Sequence, residues 1–169
     1  LAVPCWWIVN PILPQGVGGV MTLMNYDEAY FNANSQKGYW DWPNGALKID
    51  LVVMEGISPA LADGDAYMAF VDSTMQGLIS AEVRHMGANT ITELALENLI
   101  NPNDPPAHVF IYRLAPDKLL TVNPIPAAIK DTPDFQTLLS SIVLSPQEPV
   151  ILPTTTPAAA PLISASCLQ

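Results

Sequence analysis

The sequence predicts an all-β fold, a β-sandwich of short strands carried between two extended arms. Three observations predict it. Short runs of alternating apolar and polar residues recur roughly every eight to twelve positions, separated by Gly, Asn, Asp and Pro turns. Half of the 169 residues are hydrophobic, enough for a sizeable core, yet one segment alone shows clear helical spacing. Beyond Ser145, prolines at 146, 149, 153, 157 and 161 fix an extended backbone that excludes helix.

The elements follow in order. Residues 1–16 are punctuated by Pro4, Pro11, Pro14 and Gly16 and read as an N-terminal arm holding a short strand at 5–9. Residues 17–25 continue as a strand. A polar and aromatic loop over 26–45 closes on the turn signal Asn44-Gly45. In the strand at 46–55, Leu47, Ile49, Leu51 and Val53 share one face, and Lys48 and Asp50 point the other way. A turn at 56–64 leads to a strand at 66–71, and a turn at 72–77 leads to a strand at 78–85. That second strand sets Ile79, Ala81 and Val83 against Ser80, Glu82 and Arg84. Residues 90–99 suit both periods, and the β-branched start decides for strand. Strands at 108–114 and 119–122 flank a turn at Asp117-Lys118. Thr132-Pro133-Asp134 then has the chemistry of a helix start: a capping hydroxyl, proline at the first position and an acidic residue at the positive end. With Phe135, Leu138, Leu139 and Ile142 at helical spacing, one short helix is expected over 133–142. The division is an N-terminal arm at 1–16, a sandwich domain at 17–144 and a Pro-rich C-terminal arm at 145–169.

Charge narrows the function classes. Six Lys and Arg stand against sixteen Asp and Glu, a net charge of −10, which excludes the basic footprint that nucleic acid requires. Charged residues make up 13% of the chain, against roughly 25% in an ordinary soluble domain. A surface so poor in charge suits a protein covered by neighbours. No apolar run reaches the length of a transmembrane helix, about 18 residues. The opening Leu1-Ala2-Val3-Pro4-Cys5 fits a mature end left by signal-peptide removal, or a trimmed sequence.

The strand-turn-strand centre resembles a module of secreted bacterial proteins with an Ig-like β-sandwich fold. The matching residues are the strand at 47–54, then Gly64-Asp65, Ala69-Phe70, Gly77 and Ala81. Trp7-Ile8-Val9-Asn10-Pro11 and Val20-Met21-Thr22-Leu23 are similar to its opening. Met68 and Met75-Gln76 depart from its usual residues. The resemblance covers residues 6–122, with 26–45 as an insertion. It implies an extracellular module of binding or structural use, with no catalytic residues to carry over.

Enzymatic chemistry lacks its parts. His85 and His108 are the only histidines, and no nucleophile elbow, zinc-protease motif, P-loop or dinucleotide fingerprint occurs. The chain is therefore expected not to be an enzyme and to need no cofactor, calcium excepted. For that hard cation the oxygen ligands are Asp63, Asp65 and Asp72, whose ordinary role in turns is to be solvated or to bond their own backbone. Tyr39, Trp40, Asp41 and Trp42 form the ligand candidate: aromatic faces that stack on a sugar beside a carboxylate that accepts its hydroxyls, or else residues of an interface or core. Cys5 and Cys167 lie at opposite ends. They pair with each other, bridge subunits or stay as buried thiols; pairing would close a loop of about 160 residues, worth roughly 5 kcal/mol in the chain-entropy account.

These features lead to an expected structural role: a subunit of an extracellular homopolymer (filament, pilus, tube or surface layer) assembled by arm or strand exchange. Its partners are copies of itself. The interface candidates are Trp6, Trp7, Val150, Ile151, Leu152, Leu162 and Ile163. The alternatives are a secreted carbohydrate-binding or adhesion module, with glycan as partner, and a viral capsid or decoration protein.

Overall fold

A computed structural model describes residues 2–4, 8–12, 20–25, 47–71, 74–144 and 166–168. The fold is mostly β. Seven strands form one antiparallel sheet: β2 (Ile8–Ile12), β3 (Val20–Met24), β4 (Lys48–Glu55), β5 (Gln76–Met86), β6 (Asn89–Asn98), β7 (Ala107–Ala115) and β8 (Lys118–Ile125). Their order across the sheet is β2-β3-β4-β8-β7-β6-β5. Two meanders therefore meet at the β4–β8 pair. Between them the chain leaves β4, crosses one face through helix α1 (Asp63–Phe70), and enters the sheet again at its far edge, β5. After β8, a 3-10 turn (Ala127–Asp131) and helix α2 (Pro133–Ser141) lie on the other face.

Strand alternation sorts the core into these two faces. Ile49, Leu51, Phe110, Tyr112, Leu120 and Val122 pack beneath Phe135, Leu138 and Leu139 of α2. Met54, Leu94, Leu96, Val109, Ile111 and Leu119 pack beneath Ala66 and Tyr67 of α1. The run Val109-Phe110-Ile111-Tyr112 is buried throughout because β7 is covered on both sides. Among the described residues, helices cover both faces of the seven-stranded sheet, and two further short strands form a separate pair.

Helix α2 forms where the sequence places it. Thr132 Oγ1 accepts from the Phe135 backbone N–H at 3.4 Å, and Pro133 stands at the first position. Phe135 meets Phe110 edge to face, with ring centroids 5.2 Å apart. The Tyr112 hydroxyl donates to the Leu139 carbonyl at 2.8 Å, and Asn89 Nδ2 donates to the Ile142 carbonyl at 2.7 Å, so the sheet satisfies acceptors at the helix end. The turn between β5 and β6 also supports this end. Gly87 has φ +60°, and a Cβ there would come within 3.2 Å of the Ser140 carbonyl oxygen.

Helix α1 is a correction: the expected strand at 66–71 is helical. Ala66, Met68 and Ala69 are good helix formers, and Asp63 and Asp65 occupy the first turn, where the helix dipole favours negative charge. Two tertiary contacts hold the helix down. Arg113 on β7 donates from Nε to Asp63 Oδ1 at 2.7 Å, and Thr92 Oγ1 on β6 donates to Asp63 Oδ2 at 3.0 Å. Gly64 allows close approach to the sheet, since a Cβ there would stand 3.3 Å from Leu94 Cδ2.

Within the expected N-terminal arm, Ile8–Ile12 pairs antiparallel with β3. Strand β1 (Ala2–Pro4) pairs in parallel with β9 (Ser166–Leu168), with Val3 opposite Cys167, and lies beside α2. Strands from near the two ends of the sequence therefore pair with each other beside α2.

Burial leaves a titration signature. Desolvation pushes the Tyr67 phenol from its ordinary value of 10.0 up to about 12, and pushes Tyr112 higher still. A folded-state pKa above the unfolded one stabilises the fold below pH 10, and that contribution is lost as pH rises through 12. Spectrophotometric titration of tyrosinate should therefore show that two of the five tyrosines resist ionisation until the protein opens. Both ionising near pH 10 in a folded chain would contradict their burial.

Candidate functional site

An accessible apolar surface lies along the β5 edge of the sheet. Among the described residues, β5 pairs with β6 alone, so one side of its backbone is open. It runs for eleven residues, and most of them are exposed. Ile79 is an extra residue, bulged out between the Leu78–Leu96 and Ser80–Ala95 pairs, and is 53% exposed. Beyond the bulge the ladder is regular from Ser80 to Met86, and at its midpoint Val83 is 70% exposed.

An apolar corner adjoins the start of this edge. The Leu99 backbone N–H donates to the Met75 carbonyl, tying the end of β6 to the entry of β5. Asn98 Oδ1 accepts from the N–H groups of Ile100 and Asn101, a local turn that presents Leu99 and Ile100 outward. Met75, Leu78, Leu99 and Ile100 are all exposed. Large apolar side chains gathered in this way mark interaction surfaces more often than ordinary solvent-facing positions.

On the α2 face, β5 and β6 carry a charged ladder. Glu82 stands directly opposite Glu93. Arg84 lies between them, with Nε 2.7 Å from Glu93 and NH2 3.5 Å from Glu82. Glu93 is 5% exposed and also lies 2.8 Å from His108 Nδ1. Nearby, the hydrogen bond from Lys130 holds the Asp131 carboxyl below its ordinary range, and the charges of Lys130, His108 and Arg84 act in the same direction. A carboxylate pair set face to face is unfavourable, and one guanidinium serves both.

A groove of mixed character opens on the α1 face, with Lys48, Asp50, Gln76 and Asn123 set among Val52, Tyr67, Leu96 and Val109. Lys48 pairs with Asp50 at 2.7 Å, and Asp50 accepts from Thr22 Oγ1 at 2.7 Å. Gln76 Oε1 is buried there with no hydrogen-bond partner among the described residues. Sequence alternation foresaw that Lys48 and Asp50 leave the Ile49 face, but the groove itself needs strands far apart in the chain.

The structure places the expected site residues unevenly. Asp63 is occupied by Arg113 and Thr92 and fastens α1 to the sheet. The guanidinium on its carboxylate also repels a second cation, and Asp65 is exposed on the first helical turn. Asp72 lies outside the described residues, as do Cys5, Trp6, Trp7, Tyr39, Trp40, Asp41, Trp42, Val150, Ile151, Leu152, Leu162 and Ile163. Cys167 lies in β9. Among the described residues, no three of His, Cys, Asp and Glu gather as metal ligands, and no helix is long and apolar enough to cross a membrane.

The chain matches no family model, and no curated protein or solved structure is significantly similar to it.

Proposed function

We propose that this chain is a structural subunit of an extracellular homopolymer, joined to its copies by addition of strands at open sheet edges. One observation carries the reading: an eleven-residue edge strand with exposed Leu78, Ile79 and Val83 beside the apolar corner. A lone edge of this kind offers unpaired backbone groups and apolar side chains together, which is what strand addition uses. Low charge, and two sheet edges, β2 and β5, that have one strand neighbour each among the described residues, suit a subunit that is extended on both sides. The apolar segments at 150–152 and 162–164 are the strand donors in this scheme. The extracellular setting and the Ig-like kinship rest on the sequence.

Electron microscopy of the native chain, without reducing agent, tests the proposal. Filaments, tubes or sheets are expected, and deleting residues 146–169 should abolish them. Dispersed monomers at high concentration would overturn it. Glycan binding at Tyr39, Trp40, Asp41 and Trp42 would then be the reading to pursue.

A further inference from the structure

Resting on the self-assembly reading, we infer that β5 pairs antiparallel with β5 of a second copy, about a two-fold axis at Val83. The regular part of β5, after the bulge at Ile79, runs from Ser80 to Met86, and its midpoint is Val83. A dyad placed there pairs the whole regular stretch with itself. Val83 then faces Val83 of the second copy, and the most exposed apolar side chain of the strand is covered.

The charges agree with this register. Counting outward from the dyad, Glu82 of each copy falls opposite Arg84 of the other. Within one chain Glu82 faces the carboxylate of Glu93, and its guanidinium contact, at 3.5 Å, is with Arg84 two residues along the same strand. The second copy gives it a cation directly across the strand pair, on the α2 face where both side chains already point. Opposite charges at directly paired positions stabilise a strand pair, and like charges oppose it. On the other face Ala81 meets His85, and no like-charged pair arises anywhere between Ser80 and Met86. The contact is isologous, so it closes on two copies. Growth beyond a dimer then uses the opposite edge strand among the described residues, β2.

Cysteine placed on the dyad reads the register directly. Antiparallel partners have Cα atoms about 4.5–5.5 Å apart, inside the usual reach of a disulfide. Val83→Cys should therefore form a symmetric bridge on mild oxidation, identified by mass spectrometry of unreduced peptides. Ser80→Cys should not bridge to itself, because the two copies of that residue stand about 20 Å apart in this register. Charge reversal supplies a second measurement. Glu82→Arg and Arg84→Glu should each weaken self-association about tenfold, since each sets two like-charged pairs across the dyad. Mixing the two variants restores both pairs, and heterodimers should form.

Absence of the Val83 bridge in chains that still assemble overturns the two-fold register and leaves self-assembly standing. A bridge from Val83→Cys to Cys5 or Cys167 of another chain also overturns it, because a terminal segment would then fill the edge. Monomers throughout, with no bridge, would remove both this inference and the reading on which it rests.

Discussion

Phe135→Ala is expected to destabilise the protein by about 3–5 kcal/mol. The ring is 1% exposed, fills the space between α2 and the sheet, and meets Phe110 edge to face. Truncation removes its transfer free energy and leaves a cavity bounded by β-sheet side chains that cannot collapse inward. The loss is a large share of the roughly 5–15 kcal/mol by which a domain is stable. It should lower the melting temperature by roughly 6–20 °C. Phe135→Leu keeps most of the volume and should cost less than about half as much. Thermal and urea unfolding of the two variants check this. A loss under about 1 kcal/mol for Phe135→Ala would mean that α2 is not docked as described.

The same residues show what sequence reasoning reaches. Helix α2 was legible because its signals are local: Thr132, Pro133 and Asp134 at the start, then Phe135, Leu138 and Leu139 at helical spacing. Strands β4 to β8 were legible through alternation, including the opposite faces of Lys48 and Ile49. Helix α1 was not, because much of what holds it is remote. Arg113 is fifty residues from Asp63, and the fit of Gly64 against Leu94 exists only once the sheet has formed. Its alanines and acidic first turn were the available hint. Layering was also hidden. Alternation says that a strand has two faces without saying what covers them, although the unbroken run Val109-Phe110-Ile111-Tyr112 signals cover on both. The edge needs the strand order: nothing within 76–86 says that this strand ends the sheet, and the Glu82–Glu93 opposition depends on register alone.

Val83→Lys should abolish assembly while leaving the fold intact. The residue is 70% exposed on an edge strand, so the change buries nothing and breaks no core contact. Surface substitutions of this kind shift stability by about 0.5 kcal/mol or less. At the edge the lysine acts on the partner instead. A charge on an edge strand must be desolvated when another strand is added, which is how natural sheets protect their edges. With two lysines brought together on the dyad, their mutual repulsion adds to that cost. Sedimentation velocity should show monomers, and the melting curve should match the parent chain. The pairing of these two readouts is decisive. Phe135→Ala lowers the amount of folded subunit, so it reduces assembly only as far as it reduces folding. Val83→Lys separates the two, because edge pairing and core packing use different side chains of the same sheet. A variant that still assembles normally would show that β5 is not the contact. One that melts much earlier would show that Val83 is packed in the folded chain.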